Sequence, residues 1–340
     1  MERLESIVVH LEEALLLCTD ESAHKQRLGL ILIDGVVETL MHRRVKSAMW
    51  DERFAAGLLA QIDEGLAAGY EATTEILELR ATLLPQTLSK TRKRKVDRNF
   101  DDKATYLSET GALPAHFPRA LRRLHQYRNH AQHREHVRKP SLVTAVRIYC
   151  YLGLEMMRLL GPRLIGYGSS GEPSLVLQKH LGEHVDYLDF AVQTKIADSL
   201  AAQFGLESLE LTSEILAAHL SARLDQVEED LSWAALETAH WWGLPDWDSE
   251  AILHLIQVDD WSSIETANEA RRVRVEVGQS DFDTWRGEIE ALAAIDDPVL
   301  AFTHFADLEE AIEKVEDPLE EMNAVIDQTV EGAIDLARGK

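Results

Sequence analysis

The densest group of side chains able to do acid–base or phosphate chemistry is Leu124-His125-Gln126-Tyr127-Arg128-Asn129-His130-Ala131-Gln132-His133-Arg134-Glu135-His136. Four of the chain's 14 histidines fall in these 13 residues, so the clustering needs a reason. Histidine titrates near neutrality and can take or give a proton. Arginine stays charged and offers a planar fork that matches phosphate oxygens. Two other readings compete. His125, Asn129, His133 and His136 lie roughly on one helical stripe, which suits a solvated face. His130, His133 and His136 are spaced by three, and imidazoles suit zinc or nickel. They span about 120° of a helix, however, and no His-Glu-x-x-His partner motif accompanies them. No metal and no cofactor is expected.

Within this segment, Arg128-Asn129-His130-Ala131-Gln132-His133 resembles the mark of the HEPN superfamily: an Arg, a polar residue that is often Asn, three further residues and a His. Its place, between the penultimate and last helices of a bundle, is also the family's. Leu32-Ile33-Asp34-Gly35-Val36-Val37-Glu38 is similar to the acidic and aliphatic early helix of many HEPN domains. The resemblance covers about residues 1–160. It implies a metal-independent endoribonuclease working as a homodimer on RNA, of the toxin or antiphage-defence kind. Attack by the RNA's own 2′-OH needs a base, an acid and a cation for the crowded phosphorane. Arg128 would steady the phosphate, His133 would do the proton chemistry and Asn129 would assist. The rival expectation is a catalytically silent HEPN scaffold or RNA-binding module that acts through protein partners. Some toxins of the family continue the motif as His-x-Tyr; the residue here is Glu135, which argues against their partner nucleotidyltransferase.

Geometry sets a condition on that site. Residues five apart on a continuous helix are separated by about 140° around its axis. Arg128 and His133 therefore converge on one phosphate only if the helix unwinds after about Gln132, or if the site is composite across a dimer. A basic stretch, Lys90, Arg92, Lys93, Arg94 and Lys95, is expected to be a loop. With Arg98 and with Arg119, Arg122 and Arg123, it offers cations to an RNA backbone; a solvated surface is the plain alternative.

The elements that must position these residues read as helices throughout. Leu4, Ile7, Val8, Leu11, Leu15 and Cys18 recur at helical spacing, as do Leu30, Ile33, Val37, Leu40 and Met41. Asp51 is expected to open a third helix bearing Phe54, Leu58, Ile62 and Leu66. Pro114 and Pro118 introduce a fourth around Arg119–Asn129, and Pro140 starts a fifth. The reading is an all-α chain: a HEPN-like bundle over 1–160, a Gly/Ser/Pro linker over 161–174 and an acidic helical domain over 175–340. Gly166-Tyr167-Gly168-Ser169-Ser170-Gly171 matches G-x-G-x-x-G but follows a helix, with no βαβ unit around it, and reads as linker. Beyond it, Leu216, Leu220, Leu224, Val227 and Leu231 mark a long helix, and Asp246, Asp260, Asp281, Asp297-Pro298 and Asp317-Pro318 are candidate helix starts. Six of the seven tryptophans lie in this half and suit core packing.

Charge separates the halves. Residues 1–165 hold 25 Lys+Arg and 21 Asp+Glu, a balance of +4; residues 166–340 hold 10 and 38, a balance of −28. Only the first half suits a polyanion. The acidic half suits a regulatory protein partner docking through residues 175–340, or occupation of a basic surface in place of RNA. Two cysteines, Cys18 and Cys150, make no disulfide framework. Glu2, Glu5, Glu12 and Glu13 do not fit a signal peptide, and no apolar run approaches the roughly 18 residues of a membrane span. The expected setting is the cytoplasm.

Overall fold

A computed structural model describes residues 2–84, 88–133, 139–161, 174–182, 191–206, 212–258, 261 and 264–337. The described residues form helices and turns with no strand, so the fold is all-α. No helix among them is long and apolar enough to cross a membrane. The chain divides into two compact units, Met1–Leu209 and Glu210–Lys340.

The first unit contains α1 (Glu2–Cys18), α2 (Ala23–Ala67), α3 (Thr74–Leu83), α4 (Lys90–Arg98), α5 (Phe100–Glu109), α6 (Phe117–His133), α7 (Lys139–Leu160), α8 (Leu175–Leu181) and α9 (Val192–Phe204). The apolar ladder of α1 is buried from Leu4 to Cys18, against Leu30, Ile33, Val37, Leu40 and Met41 of α2. Gly29 allows their close approach: a Cβ there would sit 2.6 Å from Cys18 Sγ and 2.8 Å from its amide nitrogen. On the other side Gly153 of α7 admits Ile33, whose Cδ1 would lie 2.5 Å from a Cβ.

Two expectations about this unit are corrected. Asp51 opens no helix; it lies inside α2, which runs unbroken over 45 residues. Met49, Glu52 and Ala55 extend the buried face of its first half, while Phe54 is exposed. The basic stretch is not a loop but the helix α4. Ser89 caps it by accepting from the Arg92 amide at 3.2 Å, Val96 is buried, and Lys93 reaches the buried Glu52 carboxylate at 2.7 Å.

The division between units falls later in the chain than the Gly/Ser/Pro segment, of which 162–173 lie outside the described residues. Helices α8 and α9 pack on α1 and α7: Lys179 pairs with Glu12 and Arg158 with Asp198 at 2.9 Å. Residues 1–209 carry 27 Lys+Arg and 27 Asp+Glu, while 210–340 carry 8 and 32, so the net charge of −24 resides in the second unit.

That unit contains α10 (Thr212–Trp242), α11 (Ser249–Leu255), α12 (Ala267–Ala270), α13 (Gln279–Leu292) and α14 (Pro298–Ala337). The expected stripe of α10, Leu216 to Leu231, is buried, mainly against α14. Asp297 caps α14, accepting from the amides of Val299 and Leu300 at 2.9 Å each. The identical-looking Asp317-Pro318 starts nothing: Pro318 lies inside α14, where Val315, Leu319 and Met322 carry the buried face past it. Asp246 precedes α11 without capping it; Asp248 does so, accepting from the Ala251 amide at 2.9 Å. Asp281 lies within the first turn of α13, accepting from the Gly278 amide at 2.7 Å. Asp260 lies outside the described residues.

Candidate functional site

The motif helix α6 buries Ala120, Leu121, Leu124 and Tyr127. His125 and Arg128, three apart, share one edge of that face. Opposite them α2 presents Asp34, a fully buried carboxylate in an otherwise apolar run. Two other helices converge on it. Tyr149 of α7 donates its hydroxyl to Asp34 Oδ1 at 2.5 Å. His125 Nδ1 lies 2.9 Å from the same oxygen, with its ring stacked on Phe100 at 4.1 Å between centroids. Arg128 Nε lies 3.0 Å from Asp34 Oδ2 as an ion pair. That nitrogen sits off the hydrogen-bonding line, since neither atom completes a bond there. Burial, and then the Asp34 charge, push the Tyr149 phenol well above its usual range, so it keeps its proton as a donor.

Arg128 is thus held at two points: Asp34 behind it, and Asn129 beside it, whose Oδ1 accepts from Nη1 at 2.8 Å. A quarter of its side chain remains open, 25% by area. His130, two residues on, is exposed. α6 remains helical through His133, so the backbone places Arg128 and His133 about 140° apart around one axis. Between Arg128 and His133 the helix is continuous. The His133 side chain, and Arg134 to His136, lie outside the described part of the structure.

The proposed RNA-binding cations divide into two groups. Arg92 is tied to Glu109 at 2.9 Å and faces Asp102 at 3.5 Å, Lys93 to Glu52, and Arg122 to Asp101 at 3.3 Å. Arg123 is buried, its guanidinium carbon 4.9 Å from the centre of the Tyr127 ring. Arg119 is half-buried. Lys90, Arg94 and Lys95, with Arg98, are exposed and pair with no carboxylate among the described residues. Nor does any group of three His, Cys, Asp or Glu gather in metal-binding geometry among those residues.

Sequence reasoning had placed Asp34 in a family-like stretch and His125 on a stripe, but it missed their meeting and the part played by Tyr149. The available signal was one carboxylate in the apolar run Leu30–Val37, which demands buried partners. Comparison with family models, curated proteins and solved structures returns no match.

Proposed function

We propose that this chain is a metal-independent endoribonuclease of HEPN type, a toxin or antiphage-defence effector working in the cytoplasm as a homodimer. The observation that supports this reading is the mounting of Arg128. A buried carboxylate and Asn129 hold its guanidinium in one orientation while leaving an edge open to solvent, as a group awaiting a phosphate requires. His133 supplies the proton transfer, and a second copy brings its own Arg128 and His133 to complete the groove, since one helix keeps the pair apart. The acidic unit, with its −24 balance, docks a regulatory protein.

A second reading, the silent scaffold, is favoured by the same contact seen from its other side. Asp34 already neutralises Arg128, which weakens its pull on a phosphate. Incubation of the purified chain with RNA separates the two. The ribonuclease cuts in the presence of EDTA, leaves 2′,3′-cyclic phosphate ends, and loses cutting in His133→Ala. Arg128→Lys is the sharper second variant, because it leaves Asp34 a cation while removing the fork. Intact RNA under all conditions selects the scaffold.

A further inference from the structure

Trp50 is the one tryptophan of the first unit, and it faces solvent, 65% exposed, on α2. One turn on, Phe54 is 67% exposed, and the two rings lie 6.3 Å apart between centroids, within 12° of parallel. The next turn carries Gly57, where nothing lies within 4 Å of an added Cβ. The result is an open pair of near-parallel aromatic faces. Rings left in water this way mark a binding surface rather than core.

The charges around the rings indicate what they bind. α4 is fastened to α2 on both sides of Trp50, through Lys46–Asp97 at 2.7 Å and Lys93–Glu52 at 2.7 Å. Arg94, three residues before Asp97, and Arg98, just after it, lie one turn apart on one side of α4, on the helix that the Lys46–Asp97 pair fastens one turn before Trp50. Arg53 lies between the two rings in sequence. All three are exposed, and no carboxylate pairs with them among the described residues. Along residues 46–57 of α2 the carboxylates are Asp51 and the buried, occupied Glu52.

We infer that Trp50 and Phe54 form a stacking platform for single-stranded nucleic acid, with Arg53, Arg94 and Arg98 holding its phosphates. Stacking on aromatic rings beside cations is how unpaired strands are held without regard to sequence. A duplex offers no open base face to such rings. The cations in turn argue against a second copy of this chain, whose own rings would bring the same cations with them. The platform lies on the face of α2 opposite Asp34, sixteen residues away at 100° per residue, so binding here does not require cutting at Arg128. Only the choice of RNA as the natural strand rests on the ribonuclease reading.

The test uses the full chain and two fluorescent 12-mers, oligo(dT) and oligo(rU), the latter with His133→Ala so that it stays intact. Oligo(dT) lacks the 2′-OH and cannot be cut by that route, so its binding reports the platform alone. Trp50→Ala/Phe54→Ala should weaken binding of both strands about tenfold or more, while Trp50→Tyr/Phe54→Tyr retains it; helicity checks that each variant folds. Arg94→Gln/Arg98→Gln should weaken binding and flatten the dependence of log affinity on log salt by about 1.4, some 0.7 for each phosphate no longer neutralised. Strand binding together with oligo(rU) left intact by the unaltered chain, which keeps His133, would sink the ribonuclease reading and leave the platform standing. Equal affinity of the double alanine variant, or no binding of either strand by the unaltered chain, overturns the platform. So does a concentration-dependent dimer that the alanine variant breaks while strand affinity holds.

Discussion

Each compact unit holds an ionic cluster built around a buried charge, and the two charges are opposite in sign. In the first, the carboxylate of Asp34 is the buried centre, with Tyr149, His125 and Arg128 turned onto it. In the second, Arg223 of α10 is the centre. Its Nη1 donates to Glu309 at 2.5 Å, its Nε to Glu316 at 3.1 Å and its Nη2 to Glu316 again, with Glu313 at 3.8 Å. Burial alone would lower the Arg223 pKa; the Glu316 hydrogen bonds and the Glu309, Glu316 and Glu313 charges outweigh it and raise it. The decisive difference is where the partners end. Glu309 and Glu316 are buried with Arg223, whereas His125 and Arg128 keep 21% and 25% of their side chains open. The second cluster rivets α10 to α14. The first uses a buried charge to aim a surface residue.

The largest expected effect follows from the closed cluster. Arg223→Met strands Glu309 and Glu316 without a counter-charge and should cost about 3–5 kcal/mol, read as a lower urea midpoint. Converting Glu309 and Glu316 to Leu in the same chain should recover most of that loss, because apolar packing often equals a buried ion pair. No recovery would mean that Arg223 acts through its packing rather than its charge. On the open cluster, Tyr149→Phe removes one donor from Asp34 Oδ1 and leaves His125 and Arg128 in place. A loss of about 1–3 kcal/mol is expected for an underserved buried acceptor. A change below that range would show that the partners at the rim suffice and that Tyr149 adds little.

A third buried group lies between these extremes and carries the smallest effect. The imidazole of His180 is buried, with Ser199 Oγ 3.1 Å from Nδ1 and Glu12 Oε2 3.9 Å from Nε2. Burial pushes its pKa down; Glu12 opposes this, and Lys179 adds to it. The unfolded chain takes a proton on this histidine near pH 6.5, and the folded chain does so only at lower pH. The contribution is therefore flat above about pH 6.5, and stability falls as pH drops from there toward the folded pKa. His180→Asn should remove that share of the decline between pH 8 and pH 5 in urea unfolding. A steeper decline in the variant would show that Glu12 holds His180 as a charged partner after all, and an unchanged slope would show that His180 adds nothing to the pH dependence.

Helix type was legible along nearly the whole chain because apolar spacing alone decides it, as in α1 and α10. Boundaries were legible only where the deciding contact was local. Asp297-Pro298 and Asp317-Pro318 are the same signal, and only the first starts a helix, because the apolar face carries α14 across Pro318. The α4 segment looked too charged to order, and the carboxylates that order it, Glu52, Asp102 and Glu109, come from α2 and α5. Arg128 and Asn129 stand out in the sequence through a motif resemblance. That Arg128 is braced by Asp34, ninety-four positions earlier, is a tertiary fact that no local pattern carries.

The length of α2 has a consequence of its own. At 1.5 Å per residue, its 45 residues make a rod about 67 Å long. The stretch from Gly29 to Ala55 carries all its buried residues. The far third is tied by exposed contacts such as Asp63–Arg80 at 2.7 Å, each worth less than about 1 kcal/mol. That end can unravel and re-form as a local event while the core-bound end opens only with the whole unit. Trp50 and Phe54 stand close to where one regime passes into the other. A strand laid across them would act on the fraying of the rod's free end, adding stiffness to a segment that the protein's own core does not reach.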